Sequence, residues 1–258
     1  TSAVSKHISF DEAPIKEVAL GRTFLPRADF LIPHYGAFWS QLRDRYPKVE
    51  HASPIVEPSD VLNESVFLPR VWLISDDSAS LVQLQQNRLH LNWRQTERMN
   101  AYVRFPAIKK EFIDVWGKFE EFVLTTTGQP IQPVGAELTY TNFIEVVGAT
   151  SANEIAQEAL LDWGWAKQER FLSPPKAFAH NYTFGLPNGN DSLNVAIAAV
   201  RRKDSNSEAL KLELTVKGKC QSDGSFEEWS NGAHDFLVQS FKDLTKPSMH
   251  QQWKLVGE

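Results

Sequence analysis

Apolar residues recur at helical spacing in three long stretches of the chain. These stretches are His34–Tyr46, Phe105–Val123 and Trp229–Leu244. In the second and clearest of them, apolar side chains form one broad stripe, while charged side chains occupy most of the opposite face. This pattern is typical of amphipathic helices that bury one face against the rest of the protein.

Alternation of apolar and polar residues predicts β-strands between these helices. The predicted strands are Ile15–Phe24, Val49–Val56, Val66–Ser75, Leu81–Gln85, Arg88–Trp93, Val134–Ile144, Phe178–Leu186, Leu193–Ala199 and Leu210–Val216. The alternation changes phase near Gln86 and Asn87. Since a shift of one residue would turn the buried face outward, a turn or bulge is predicted there.

Three strands followed by a long helix occur twice, near residues 66–124 and again near 178–246. An antiparallel meander with one apolar face needs a cover, which an amphipathic helix can provide. We therefore expect an α+β fold with two similar halves, each a β-meander covered by a long amphipathic helix. The predicted division is an N-terminal half at residues 1–150 and a C-terminal half at residues 151–258.

The composition is that of a globular protein, with 42% hydrophobic and 23% charged residues. A formal net charge of -5 gives no overall field that would attract nucleic acid or an anionic membrane. The single cysteine, Cys220, excludes a disulfide within the chain, and no apolar run is long enough to span a bilayer. These features predict a cytoplasmic location.

Amide and guanidinium side chains cluster beside an aromatic residue in the predicted hairpin. The candidate binding residues there are Gln83, Gln85, Arg88, Asn92, Trp93 and Arg94. Amides and guanidinium groups beside an aromatic ring can recognise bases, carbonyl groups or a partner loop. The alternative is an exposed hairpin face whose amides only bond to one another across the strands.

The strand Val134–Ile144 has a second polar face, which includes Glu137 and Glu145. Two carboxylates on one face could hold a metal or act as general acid and base, or could simply face solvent. The predicted binding residues are completed by Glu137, Tyr140 and Asn142. The chain has no metal-ligand spacing and no common nucleotide-binding or nucleophile motif, so we expect no metal or cofactor and assign no catalytic residue.

Three segments carry a resemblance to known proteins: LVQLQQNRLHLNWR, YVRFPAIKKEFIDVWGKF and GAELTYTNFI. They contain the patterns QLQ-x-x-R-x-x-x-NWR and ELTY-x-N. The chain resembles an uncharacterised, sporadically distributed bacterial protein family of about this length, and FWSQLRDRYPKVE and GAHDFLVQSFKDLTKPSMHQQW extend the resemblance toward both ends. The resemblance implies a standalone cytoplasmic protein, and the patchy distribution suggests a defence system or mobile element. It implies no catalytic residues.

Three functions are open at this point. The first is a non-catalytic binding protein, antitoxin-like or defence-associated, that contacts another protein or a second copy of itself. The second is a small-ligand-binding protein or enzyme with a cavity between the sheet and a long helix. The third is nucleic-acid binding through a basic patch, which would comprise Arg88, Arg94, Arg98, Arg104, Lys109 and Lys110.

Overall fold

The computed structural model describes residues 8–56, 69–98, 101–165, 171–202 and 205–257. The helices in these residues are α1 (Ile32–Leu42), α2 (Phe105–Thr127), α3 (Ala152–Ala159), α4 (Asp223–Leu244) and α5 (Pro247–Gln252). The strands are β1 (Ser9–Phe10), β2 (Ile15–Phe24), β3 (Lys48–Ala52), β4 (Arg70–Ile74), β5 (Ser80–Gln85), β6 (Arg88–Arg94), β7 (Pro133–Ile144), β8 (Ala179–Gly185), β9 (Ser192–Arg201), β10 (Glu208–Lys219) and β11 (Leu255–Val256). The protein therefore combines helices with mostly antiparallel strands, which confirms the predicted class at this level.

All three predicted long helices have different ends in the structure, and α2 continues to Thr127, past its predicted end at Val123. Helix α1 ends at Leu42 rather than Tyr46, because the following residues form a turn before Pro47. Helix α4 begins at Asp223, ahead of its predicted start. Its first turns are mostly polar and exposed apart from the buried Phe226, so the apolar stripe is too sparse there to reveal the helix.

Three consecutive strands, β4 to β6, form an antiparallel meander, and β8 to β10 form another. The turn predicted at Gln86 and Asn87 is confirmed, since Gln85 pairs with Arg88 across it. The first residues of the predicted strand Val66–Ser75 lie outside the described residues. The idea that the two meanders belong to similar halves stays a prediction.

The chain forms two compact units, each assembled from separate segments. Unit 1 comprises Thr1–Lys16, Thr139–Lys217 and Asn231–Glu258, and unit 2 comprises Glu17–Leu138 and Gly218–Ser230. Strands β2, β7 and β10 and helix α4 each contribute residues to both units. The predicted division into domains near residue 150 stays a prediction, because a compact unit is not by itself a domain that folds independently.

In unit 2 the strands lie in the order β3-β4-β5-β6-β2-β7. Leu73, Val82, Leu91 and Leu20 stand opposite one another on successive antiparallel strands, and all four are buried. Because side chains alternate along a strand, these residues define one face of the sheet, which we call the core face.

Helix α2 supplies aromatic side chains to the core of unit 2. The ring of Phe119 has its centre 5.6 Å from that of Phe24, on the core face of β2. It also lies 5.1 Å from the ring of Phe38 in α1 and 5.7 Å from that of Phe30. The predicted apolar stripe of α2 is therefore buried against α1 and the core face.

Strand β2 also places a charged residue, Arg22, on the core face. Its side chain has no solvent exposure, and its guanidinium carbon lies 4.6 Å from the ring centre of Trp116 and 5.1 Å from that of Phe226. One terminal nitrogen bonds to Asp223, while Nε and Nη2 have no hydrogen-bond partner among the described residues. The aromatic rings and one ion pair thus offset the cost of burying this charge.

We predict that Arg22→Met leaves the free energy of unfolding unchanged or raises it by about 1 kcal/mol, because methionine fills the site without buried N–H groups. Arg22→Ala should lower it by about 2–4 kcal/mol, since it leaves a cavity against Trp116. Urea denaturation of both variants measures the difference. An Arg22→Met variant as unstable as Arg22→Ala would show that the charge itself stabilises the fold.

In unit 1 the strands lie in the order β7-β10-β9-β8, and the short strands β1 and β11 pair antiparallel. The ring of Phe10 in β1 has its centre 5.3 Å from that of Phe241 in α4 and 6.3 Å from that of Trp253. These contacts hold β1 against the last helices of the chain.

Candidate functional site

Most of the predicted binding residues lie on the face of the unit 2 sheet opposite its core face, which we call the polar face. His90 of β6 stands opposite Gly21 of β2 on one side and Gln83 of β5 on the other. Alternate residues of each strand share this face. The predicted residues that it brings together are Gln83, Gln85, Arg88, Asn92, Arg94 and Glu137.

The polar face is not the exposed surface that the sequence suggested. The exposed fraction of Gln83, Gln85, Arg88 and Asn92 lies between 1% and 9%. The expectation of an exposed hairpin face was therefore wrong. Alternation shows which residues share a face, but it does not show whether that face is covered.

A chain of hydrogen bonds satisfies the amides at the centre of the polar face. Arg70 Nη1 and Trp72 Nε1 donate to Gln83 Oε1 over 2.9 and 3.1 Å. Gln83 Nε2 in turn donates to Asn92 Oδ1 over 2.6 Å, and Asn92 Nδ2 donates to Glu17. Buried polar groups are costly unless they are hydrogen-bonded, so this series of hydrogen bonds stabilises the buried polar face.

A second group of bonds fixes the backbone beside the hairpin turn. Gln85 accepts the backbone N–H of Ile55 and donates to its carbonyl oxygen, each over 2.8 Å. Arg88 Nε donates to Asn87 Oδ1 over 3.3 Å. Burial, together with the nearby charge of Arg88, lowers the pKa of Arg70. These side chains hold the segment after β3 against the hairpin and are used within the fold.

His90 and Glu137 form the one histidine–carboxylate contact among the described residues of the polar face. His90 Nε2 lies 3.2 Å from Glu137 Oε2, and His90 is 5% exposed. The imidazole ring occupies the space above Gly21, where an added Cβ would lie 1.9 Å from His90 Cδ2. Glycine at this position is therefore required by the packing of the ring.

We predict that Gly21→Ala lowers the free energy of unfolding by about 1–3 kcal/mol, because the new methyl group must displace the His90 ring. In a His90→Ala background the same change should cost much less. A double-mutant cycle by urea denaturation measures this coupling.

The matched control is Gly117→Ala in α2, where an added Cβ meets no atom within 4 Å. That change should be neutral or stabilising, since alanine favours the helix. A loss from Gly21→Ala that is equal in both backgrounds would refute the role given to the ring.

The other predicted binding residues lie elsewhere. Trp93 is on the core face of unit 2 and is 5% exposed. Tyr140 and Asn142 belong to unit 1, where the Tyr140 hydroxyl lies 2.7 Å from His234 Nδ1 and Asn142 Nδ2 donates to a backbone carbonyl over 3.2 Å. These residues are therefore not part of the polar face.

Several cations of the predicted basic patch are engaged within the protein. Arg88 is 3% exposed, and Arg94 Nη2 donates to the carbonyl oxygen of Ser78 over 3.3 Å. Lys109 Nζ lies 3.7 Å from Glu227 Oε1. The burial of Arg88 removes it from any surface patch, and the contact with Glu227 neutralises part of the remaining charge.

Strand β8 presents a surface that the sequence analysis did not single out. Ala179–Gly185 is the last strand in the order of unit 1, and all seven of its residues are exposed. We call this strand with its open side the β8 edge. It contains no Lys, Arg, Asp, Glu or Pro.

Aromatic side chains line one face of the β8 edge. The rings of His180 and Tyr182 have their centres 6.5 Å apart at an angle of 8°, and Phe184 follows 6.4 Å from Tyr182. Trp163 packs on Phe178 at 4.5 Å and on His180 at 5.3 Å. Tyr182 and Phe184 each remain 46% exposed. The row thus packs against Trp163 at its His180 end, although His180 itself remains exposed.

The direction of the β8 backbone follows from two hydrogen bonds at its ends. The backbone carbonyl oxygen of Phe178 accepts the N–H of Ala199 over 3.1 Å, and the N–H of Leu186 donates to the backbone carbonyl oxygen of Asp191 over 3.0 Å. The register with β9 is continuous, so backbone groups of even-numbered residues point toward β9. The residues whose N–H and C=O groups point to the open side are Ala179, Asn181, Thr183 and Gly185.

The sequence held a signal for this surface. The run AHNYTFG alternates aromatic rings with small or polar residues and lacks charge, which is unusual for a strand at the end of a sheet. The pattern alone could not reveal that β8 ends the sheet, because that depends on the pairing of strands distant in the chain.

Comparison with protein-family models gives no match, and no curated protein matches the chain significantly. Within the described ranges, no cluster of three or more His, Cys, Asp or Glu residues could hold a metal ion. No helix in the same ranges is long and apolar enough to cross a membrane. The case for a function therefore depends on the geometry of the two units.

Proposed function

We propose that this protein is a non-catalytic binding protein that acts through protein–protein contacts at the β8 edge. The observation that carries the proposal is the exposure of a whole, uncharged strand with aromatic side chains at the end of the unit 1 strand order. A partner strand could add to such an edge through backbone hydrogen bonds, while the aromatic row supplies apolar contact. The defence-related setting suggested by the resemblance would provide partners of this kind.

Strand β3 provides a comparison within the same protein. It is the last strand in the order of unit 2, and it is also largely exposed. Its sequence KVEHA carries the charges of Lys48 and Glu50. Charges on a terminal strand discourage pairing with another chain, and β8 lacks them. The contrast favours β8 as the binding edge.

The polar residues that first suggested a site support a structural role instead. Gln83 and Asn92 are buried and bonded to each other, and His90 is equally buried beside Glu137. Cys220 is 2% exposed, and its Sγ lies 3.5 Å from a serine hydroxyl. These groups have little access to a substrate, which favours binding over catalysis.

Cavities in the structure give weaker support to the small-ligand alternative. In unit 2, one of about 280 Å³ lies beside Tyr35 and Trp39, and one of about 230 Å³ lies beside Arg22. Both fall below the roughly 300 Å³ at which small-molecule sites usually begin. A broad depression of about 830 Å³ in unit 1 has the volume of a small-molecule site, but it is open, and polar and apolar groups contribute about equally to its lining. Two of its polar groups, Thr245 and His250, bond to each other over 2.9 Å.

The proposal is tested by affinity capture with the full chain as bait. Asn181→Pro removes a backbone N–H that points to the open side of β8, whereas Asn181→Ala keeps it. The wild type and Asn181→Ala should retain a stoichiometric protein, either a different protein or an untagged copy of the chain, and Asn181→Pro should lose it.

Both variants should keep the circular dichroism spectrum and the Tm of the wild type, because proline is tolerated where its N–H faces outward. Recovery of no stoichiometric protein by the wild type would count against the proposal. If the folded Asn181→Pro variant recovered the same protein in equal amount, the contact would have to lie outside β8.

A further inference from the structure

We propose that the partner strand of the β8 edge is β8 of a second copy of this chain, paired antiparallel about a two-fold axis at Tyr182. The inference rests on the proposed function, because it identifies the partner of that same edge. It also specifies the register, which makes it testable at single residues.

Backbone geometry selects the register. The residues that can bond across the open side are odd-numbered, so an odd residue of one copy must pair with an odd residue of the other. When Asn181 pairs with Thr183 of the second copy, Ala179 pairs with Gly185, and all seven residues of the strand have partners. Moving the axis by one residue, to Asn181 or Thr183, still pairs odd-numbered residues with odd-numbered residues. It leaves two residues of each strand outside the ladder, however.

The aromatic rows also fit this register. Residues that face each other in an antiparallel pair share one side of the sheet, so Tyr182 meets Tyr182 and His180 meets Phe184. Each of these pairs is non-hydrogen-bonded across the new interface, which brings side chains closest together. The exposed rings of Tyr182 and Phe184 would therefore be covered by rings of the second copy.

Charge makes self-pairing possible at β8 and opposes it at β3. The β8 edge has no formal charge, so two copies meet without like-charge repulsion. The equivalent arrangement of Lys48–Ala52 about its centre would place Glu50 directly opposite Glu50. Like charges opposite each other are destabilising. In that register the charge of Glu50 opposes self-pairing of β3, whereas β8 carries no such charge.

A two-fold β8 pair is closed, because each copy uses its edge completely. We therefore expect a dimer and no assembly larger than a dimer. A single pair of seven-residue strands is a small interface, at the low end of the range for specific complexes, below about 1,200 Å² in total. The dimer should accordingly be reversible and dependent on concentration.

Sedimentation velocity over low to high micromolar concentrations tests the association. The wild type and Asn181→Ala should shift from monomer to dimer as concentration rises, and Asn181→Pro should remain monomeric throughout. A wild type that stays monomeric overturns the inference, as does assembly beyond the dimer. If a monomeric wild type still captures a different protein through β8, the proposed function stands without this inference.

Disulfide trapping tests the register independently of the proline variant. Tyr182→Cys places two cysteines about 4.5 Å apart between their Cα atoms, within the range for a disulfide. Mild oxidation should convert this variant to a covalent dimer. The matched control, Asn181→Cys, should not cross-link to itself, because its counterpart across the axis is Thr183.

Cys220 is buried, so it should form no intermolecular disulfide of its own in this experiment. The aromatic ring of Tyr182 is lost in the trapping variant, but the backbone ladder that aligns the strands remains. Failure of Tyr182→Cys to cross-link at concentrations where the wild type is dimeric would exclude this axis. Equal cross-linking of Asn181→Cys would do the same.

Discussion

The need of every strand for hydrogen-bonded neighbours is the constraint on which this structure depends. An unpaired backbone N–H or C=O is costly when it is removed from water, so a strand inside a sheet requires a neighbour on each side. Strands β4 to β6 of unit 2 meet that requirement with one another, with β3 and with β2. At β8 the requirement is met on one side only, and solvent or a partner must satisfy the other.

A related constraint explains the polar residues of unit 2. Its sheet buries apolar side chains on the core face, and most side chains of β5 and β6 on the polar face are buried too. Alternation therefore places Gln83 and Asn92 where water does not reach them, and they must bond to one another and to Glu17. Such a network resists rearrangement, because the loss of one member leaves its partner buried and unsatisfied. This argues that the motif around the hairpin helps to specify the fold.

Local patterns in the sequence were sufficient to predict most helices and strands and the turn at Gln86 and Asn87. They also singled out Gln83, Gln85, Arg88 and Asn92 as a cluster, but that cluster included Trp93, which alternation places on the opposite face of the sheet. They could not show that the polar face is covered, nor that Tyr140 and Asn142 belong to another unit. Both facts depend on which distant segments meet, and so does the position of β8 at the end of its sheet.

The uneven packing of the aromatic row against Trp163 links the fold to the proposed contact. Trp163 is held by a bond from its Nε1 to Asn153 and packs on His180, while Phe184 at the other end of the row is exposed. A parallel pair in register would place Phe184 of one copy beside Phe184 of the other. An antiparallel pair instead sets Phe184 of one copy beside His180 of the other, next to the indole already fixed there. The end of each row that packs against Trp163 would then lie beside Phe184 of its partner, so the asymmetry within one chain favours the two-fold arrangement.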